Sequence, residues 1–163
     1  KLITSKTRLK LLIKFFVNIS NEGYLNGLAH EFGDSTNSIR KELNQLYSVG
    51  YLKKIKLNNK IIYSANEKHP LFKILQKIVR THLGLDDIVT KIISKIGNVD
   101  KIILVGDYAK GLDSGIIEII LKGEDIDEEY LNRILIKLEK VIARKIKYEI
   151  SDNYPEKDVF LIL

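Results

Sequence analysis

The chain has 163 residues, 45% of them hydrophobic and 29% charged, and carries a net charge of +6. That is enough for one large domain or two small ones with a packed core, and it is not the composition of a disordered chain. There is no Cys, so disulfides and thiolate metal sites are excluded.

The charge is unevenly spread. Up to Gly84 there are 15 Lys+Arg and 5 Asp+Glu, a net +10; from Leu85 on there are 12 and 16, a net −4. A basic part joined to a mildly acidic one implies two modules with different partners, the basic one suited to a polyanion. His30, His69 and His82 are not at ligand spacing, so they are read as structural or surface residues and no metal site is expected. No apolar run approaches membrane-spanning length and no signal-peptide pattern is visible, so the expected setting is soluble and cytoplasmic, with no membrane partner.

Thr7 to Ile19 reads as a helix, with Leu9, Leu12, Ile13, Phe16 and Val17 at helical spacing. Asn21-Glu22-Gly23 breaks it. Tyr24 to Phe32 is a short second helix with Leu25, Leu28, Ala29 and Phe32 inward, and Gly33-Asp34 is a tight turn. Ser35 opens a third helix, where its side chain can accept from a free backbone N–H. Ile39, Leu43 and Leu46 fall on the inner face, and Asn37, Arg40, Lys41 and Asn44 on the other. Gly50 ends it. Two short helices, a turn with Gly and a third helix with polar exposed positions form the helix-turn-helix pattern. The plainer alternative for the third helix is an amphipathic surface helix.

After Leu52 the period changes to two. Ile55 and Leu57 alternate with Lys54 and Lys56, Asn58-Asn59 suits a two-residue turn, and Lys60 to Ala65 returns. A basic hairpin behind a reading helix is a wing, its lysines (Lys53, Lys54, Lys56, Lys60) suited to phosphate. Lysine on a strand also protects an edge from pairing, and both roles are compatible. The residues predicted to meet double-stranded DNA are Ser35, Thr36, Asn37, Ser38, Arg40, Lys41, Asn44, Lys54, Lys56, Asn58, Asn59 and Lys60. Arg40 is the leading base contact and Asn37 and Asn44 follow.

Pro70 suits the first turn of a helix running to about Leu83. Its apolar set, Leu71, Phe72, Ile74, Leu75, Ile78, Val79 and Leu83, is too wide for one small domain and predicts an inter-domain strut or a homodimer contact. Beyond Gly84, Asp86-Asp87 are read as capping a helix with Ile88, Val89, Ile92, Ile93 and Ile96 inward, closed by Gly97. Lys101–Val105 and Ile116–Leu121 read as buried strands around a Gly- and Asp-rich loop, Gly106–Gly115. Asp127, Glu128 and Glu129 open a further helix striped by Leu131, Ile134, Leu135, Leu138, Val141 and Ile142. Ile146–Ile150 and Val159–Leu163 are expected strands, with Phe160 to Leu163 needing burial.

The stretch Val105–Leu121 resembles the minimal nucleotidyltransferase signature. That family has Gly-Ser, a basic turn ending in Gly, then a strand with two Asp one residue apart that hold two metal ions. Gly106 matches the Gly, Ala109-Lys110-Gly111 the turn, and Ser114 the residue leading into the strand. Asp107 stands where the phosphate-binding Ser should be, Ile116 replaces the first metal Asp, and only Glu118 occupies the second. Glu149 is a further acidic position that does not restore the missing one, and Asp125-Ile126-Asp127 reads better as a helix cap. The resemblance therefore implies a degenerate site without catalytic residues, metal or cofactor. Gly106, Asp107, Lys110, Gly111, Ser114 and Glu118 are left as possible ligand-binding residues.

From about Thr7 onward the chain resembles a bacterial family that joins an ArsR-type winged helix to a degenerate nucleotidyltransferase-like domain. Leu28 to Asn37, Lys68 to Phe72 and Gly106 to Gly115 carry that resemblance. It implies a transcriptional regulator. It also implies metal sensing through Cys or His clusters, and this sequence has no such cluster.

The expected class is α+β. Residues 1–68 would form a winged helix-turn-helix, 69–84 a linker and possible dimerisation helix, and 85–163 a small α/β nucleotidyltransferase-like domain. The expected function is a DNA-binding regulator, a homodimer on an inverted repeat, with an unknown small-molecule effector. Two alternatives stand beside it: an active nucleotidyltransferase targeted by the winged helix, and a winged helix that binds protein.

Overall fold

A computed structural model describes residues 3–156 and 160–161, with the side chains of Ile93, Phe160 and Leu161 left aside. The class is α+β, and the chain divides into two compact units, Lys1–Val79 and Arg80–Leu163.

The first unit opens with α1 (Lys6–Phe16), capped by Ser5, whose side chain accepts from Arg8 N at 3.1 Å. Leu11 and Phe15 are fully buried beside Ile13, Phe16 and Val17, so α1 is enclosed more widely than the stripe Leu9, Leu12, Ile13, Phe16, Val17 implies. A helix apolar on more than one face is a central one. β1 (Glu22–Gly23) leads into α2 (Leu25–Phe32), which Gly33 ends at φ 65°. α3 (Thr36–Ser48) buries Ile39, Leu43 and Leu46, and Ser35 caps it as expected.

β2 (Leu52–Leu57) and β3 (Lys60–Ala65) form an antiparallel hairpin, with β1 on the far side of β3. Asn58 and Asn59 make its two-residue turn at φ 45° and 62°, the left-handed region that a tight hairpin turn needs and Asn tolerates. The register pairs Leu52 with Ala65, Lys54 with Tyr63 and Lys56 with Ile61. Directly paired residues share a face. Leu52, Tyr63 and Ala65 are buried, so Lys54 and Lys56 extend the helix-facing side, while Ile55 and Leu57, both more than half exposed, face out. An apolar residue inside every alternating strand is the usual phase; here only the base of the hairpin obeys it.

α4 (Phe72–Leu83) begins two residues later than Pro70 suggests. Leu71 N donates to His69 Nδ1 at 3.1 Å, and Phe72 N to His69 O at 2.9 Å, so Pro70 lies in a turn ahead of the helix. The Phe72 ring packs 5.8 Å from Phe16. The wide stripe divides: Phe72, Val79 and Leu83 are buried, while Leu71, Ile74 and Ile78 are exposed.

The second unit carries α5 (Leu85–Ile93), β4 (Asn98–Val105), α6 (Gly106–Ala109), β5 (Ile116–Glu124), α7 (Glu128–Ile142), β6 (Lys145–Ile150) and β7 (Phe160–Leu161). Asp86 and Asp87 sit in the first turn of α5 and do not cap it; Gly84 holds the cap position at φ 75°, and Asp86 accepts from Arg80 Nε at 3.0 Å. The helix stops at Ile93, so Gly97, at φ 105°, serves the turn into β4 and not the helix end. Sheet order is β6-β5-β4-β7, parallel between β5 and β6 and antiparallel elsewhere. The β5–α7–β6 crossover supplies the one parallel pair among the described residues, as parallel neighbours require. Ile102, Leu104, Ile117, Ile119, Leu121 and Ile146 form one face by register, and α7 lies over it: the Tyr148 hydroxyl on that face bonds Glu128 at 3.2 Å.

Asp127 caps α7, accepting from Tyr130 N at 2.9 Å. Leu131, Leu135, Leu138 and Ile142 are buried, whereas Val141 is 75% exposed and falls off the stripe assigned to it. The expected open loop Gly106–Gly115 starts with one helical turn, because Tyr108 and Ala109 are both wholly buried and draw the chain inward. The expectations for Ile93 and for burial of Phe160 to Leu163 lie outside the described side chains.

Candidate nucleic-acid interface

The face of the first unit between α3 and the hairpin is set up by a division of charge. α1 is basic, yet three of its four cations are met by carboxylates. Arg8 pairs with Glu42 at 2.7 Å, Lys10 with Asp34 at 2.8 Å and Lys14 with Glu31 at 2.6 Å. The Lys10 ammonium beside Asp34, helped by the Thr7 hydroxyl, holds that carboxyl below its ordinary range against the opposing effect of burial. These three contacts tie α1 to the α2 and α3 region and use three of the five acidic residues that precede Gly84. Between Glu42 and Glu67 the sequence has no acidic residue at all. Among the described residues, Arg40, Lys54 and Lys60 form no ion pair with a carboxylate.

Those three line a groove of about 420 Å³ together with Asn44 and Asn59. Leu43, Ile61 and Tyr63 contribute apolar lining between them. The phase of the hairpin puts Lys54 on this side, and Lys60, paired with Leu57 on the other face, reaches the groove from the end of the hairpin. Thus five of the twelve predicted DNA-facing residues converge. Arg40 Nη1 donates to Asn37 Oδ1 at 3.3 Å, joining a sixth to the helix side. Ser35, Thr36, Ser38 and Lys41 are exposed on α3 or at its cap, and Lys56 and Asn58 are exposed on the hairpin, outside the groove lining. Ser35 is committed to its cap: its Oγ accepts from Ser38 N at 3.2 Å and donates to Ser38 Oγ at 3.0 Å.

Two tyrosines not singled out in the sequence complete the surroundings. The Lys60 ammonium lies 4.2 Å from the centre of the Tyr24 ring, and that of Lys54 lies 4.1 Å from the Tyr47 ring. The first pairing spans 36 positions of sequence and no local pattern announces it.

No protein-family model matches this sequence. No curated protein is significantly similar to it either. A solved structure, the crystal structure of Sso10a-2, a DNA-binding protein from Sulfolobus solfataricus, is similar at a TM-score of 0.38 and 18% identity. The likeness covers 54% of this chain and 87% of that one. A likeness at that score does not fix a common fold. The resemblance to ArsR-type regulators and nucleotidyltransferases is therefore carried by the sequence segments alone.

In the second unit the glycine loop is held from within. Arg144 donates to both oxygens of Asp113, Nε to Oδ1 at 2.9 Å and Nη2 to Oδ2 at 2.6 Å. It also donates to the Tyr108 hydroxyl at 3.0 Å and, through Nη1, to the Ile142 carbonyl at 3.0 Å. The Tyr108 hydroxyl bonds Asp113 and accepts from Gly115 N at 3.1 Å. Burial, then the hydrogen bond to Asp113, pushes the Tyr108 hydroxyl up to about 12. Burial would raise Asp113, but the Arg144 and Tyr108 hydrogen bonds together outweigh it and hold the carboxyl below its ordinary value. Arg144 is raised in return, mainly by its bond to Asp113.

Of the predicted ligand-binding set, Gly106 and Glu118 are brought together: a Cβ at Gly106 would collide with Glu118 Oε2. Asp107, Lys110 and Ser114 are exposed, and Gly111 is buried at φ 80°. Among the described residues no group of three or more His, Asp or Glu side chains could hold a metal ion, and no helix is long and apolar enough to cross a membrane.

Proposed function

We propose that this chain is a DNA-binding transcriptional regulator of the winged-helix type. α3 enters the major groove, and the hairpin is the wing beside it. The supporting observation is the groove between them. It gathers Arg40, Asn44, Lys54, Asn59 and Lys60, while the nearby carboxylates are engaged with α1. Cations without carboxylate partners beside amide side chains suit phosphate and base edges together. Arg40 reads a base, and the hairpin lysines contact phosphate. A homodimer would place two copies of α3 on an inverted repeat.

The second unit is nucleotidyltransferase-like and serves sensing or assembly, not catalysis. The carboxylate of Glu118 lies against Gly106, the backbone turn that a nucleotide phosphate would approach. Like charge there opposes a phosphate. Asp113, the nearby acidic side chain of the loop, is consumed by Arg144.

Fluorescence anisotropy with the chain's own upstream DNA and with random duplex, across a salt series, tests the reading. Tight, salt-sensitive binding with a large preference for its own DNA supports a specific regulator. Absence of salt-sensitive binding to any duplex removes it and leaves the protein-binding alternative. Label transfer from ATP with Mg²⁺ or Mn²⁺, lost in Glu118→Ala, would overturn the non-catalytic reading of the second unit.

A further inference from the structure

The two lysines at the groove are each seated on an aromatic ring. Lys60 lies over Tyr24, at the entry of α2, and Lys54 over Tyr47, near the end of α3. An ammonium over a ring face is attracted by the ring quadrupole, and both distances are well inside the range of that interaction. A lysine side chain otherwise samples many rotamers, and ordering it on binding opposes association. A ring fixes the ammonium in advance and leaves its outward N–H donors for an anion. A carboxylate at the same place would neutralise it.

Gly27 adds an independent observation. It lies inside α2, where glycine costs about 1 kcal/mol relative to alanine. A Cβ there would lie 2.8 Å from Cε1 and 2.9 Å from Cζ of Tyr24. The missing side chain gives the Tyr24 ring its seat against the helix, and the ring in turn carries Lys60. Lys56 shares the strand face of Lys54 but rests on no ring among the described residues, so it is an internal control.

We infer that Tyr24 and Tyr47 are positioning residues for nucleic acid, holding Lys60 and Lys54 ready for the phosphodiester backbone that runs beside α3. Neither tyrosine needs to touch DNA itself. This rests on the DNA-binding reading above.

The test is a pair of double-mutant cycles on duplex binding, read as affinity and salt slope. Tyr47→Leu and Tyr24→Leu each weaken binding about two- to fivefold, the size of one cation–π contact. They leave the salt slope unchanged, because the lysine is still present to displace a counterion. Lys54→Ala and Lys60→Ala each reduce the slope by about 0.9. Tyr47→Leu has no further effect when Lys54 is already Ala, and the same holds for Tyr24 with Lys60. Tyr47→Phe keeps wild-type affinity, and Gly27→Ala weakens binding only when Lys60 is present. In the free protein, the ε-methylene protons of Lys54 carry a ring-current shift that Tyr47→Leu abolishes and Tyr47→Phe preserves. The wild-type and Tyr47→Phe arms of this readout stand even if a Leu variant folds poorly.

Duplex binding that ignores both Leu substitutions overturns the inference alone. So does a Tyr47→Leu loss that persists without Lys54, since the ring would then act on DNA directly. A wild-type chain that binds no duplex at any salt overturns both the inference and the reading beneath it.

Discussion

The hairpin of the first unit and the glycine loop of the second both place cations beside tyrosines, and the outcomes are opposite. Lys54 and Lys60 lie on ring faces, with no carboxylate closing over them. Arg144 meets the edge of its tyrosine, the hydroxyl, and the same contact delivers it to both oxygens of Asp113. A ring face holds a cation without neutralising it. A carboxylate fork saturates the donors and turns the cation into structure. α1 makes the same point within the first unit, since Arg8, Lys10 and Lys14 are also matched by carboxylates. Counting charge therefore does not locate an interface; asking what each charge already touches does.

The sharpest way to break this comparison is at Arg144. Arg144→Met leaves Asp113 and the Tyr108 hydroxyl without their main donor. With the Asp113 side chain still 30% exposed, the loss in stability is put at about 2 kcal/mol. Urea unfolding followed by circular dichroism measures it, and Asp113→Ala in the same chain should recover part of the loss. Duplex affinity stays as in the wild type. A stable Arg144→Met protein with weakened DNA binding would mean that this arginine also serves a ligand.

Arg40→Ala comes next. It should cost about 1–3 kcal/mol on the specific site and far less on random duplex, as expected for a lost base contact. Equal loss on both would move Arg40 among the phosphate contacts. Removing Lys54, Lys56 and Lys60 together should weaken all duplexes alike and flatten the salt dependence by nearly three units of slope, at about 0.9 per lysine.

Alkaline titration gives a gentler probe. The Tyr108 hydroxyl is raised from 10 to about 12 in the folded chain, so its protonated form favours folding. That contribution is intact below pH 10 and is lost as the pH rises from 10 towards 12. Tyrosinate absorbance should show a late component near pH 12 that is missing in Tyr108→Phe. If the late component survives that substitution, the hydroxyl is not the locked group described here.

Much of the first unit is legible from periodicity. Ser35, Ile39, Leu43 and Leu46 define α3 because cap and stripe are local rules, and Asn58-Asn59 define the turn because positive φ selects few residues. The phase of the hairpin is not legible. Ile55 and Leu57 look like core residues, but the core ends at Leu52 and Tyr63, and beyond it hydrophobicity no longer dictates which face points in. Arg40, Asn44 and the hairpin lysines are recoverable as exposed polar positions. Tyr24 and Tyr47 are not, since their roles are contacts with lysines from another element, and Gly27 matters only through the Tyr24 ring it seats. In the second unit the strands follow from apolar runs. The glycine motif instead draws attention to phosphate chemistry, while Tyr108 and Asp113 are occupied with a distant arginine, 31 positions from the aspartate in sequence. No local spacing encodes that lock.

The two-residue turn at Asn58-Asn59 has a consequence for how this surface can change over time. Leu57 is paired with Lys60, so the number of residues between them fixes which side of the ribbon each later residue occupies. An odd insertion that shifts one strand by a single step exchanges its two faces. Such a change would move Lys60 off the ribbon face it shares with Leu57 and off the Tyr24 ring, with net charge and composition almost untouched. Substitutions along the hairpin adjust this surface gradually. The parity of its turn acts as a switch, and a lineage that altered it would change partner in one step.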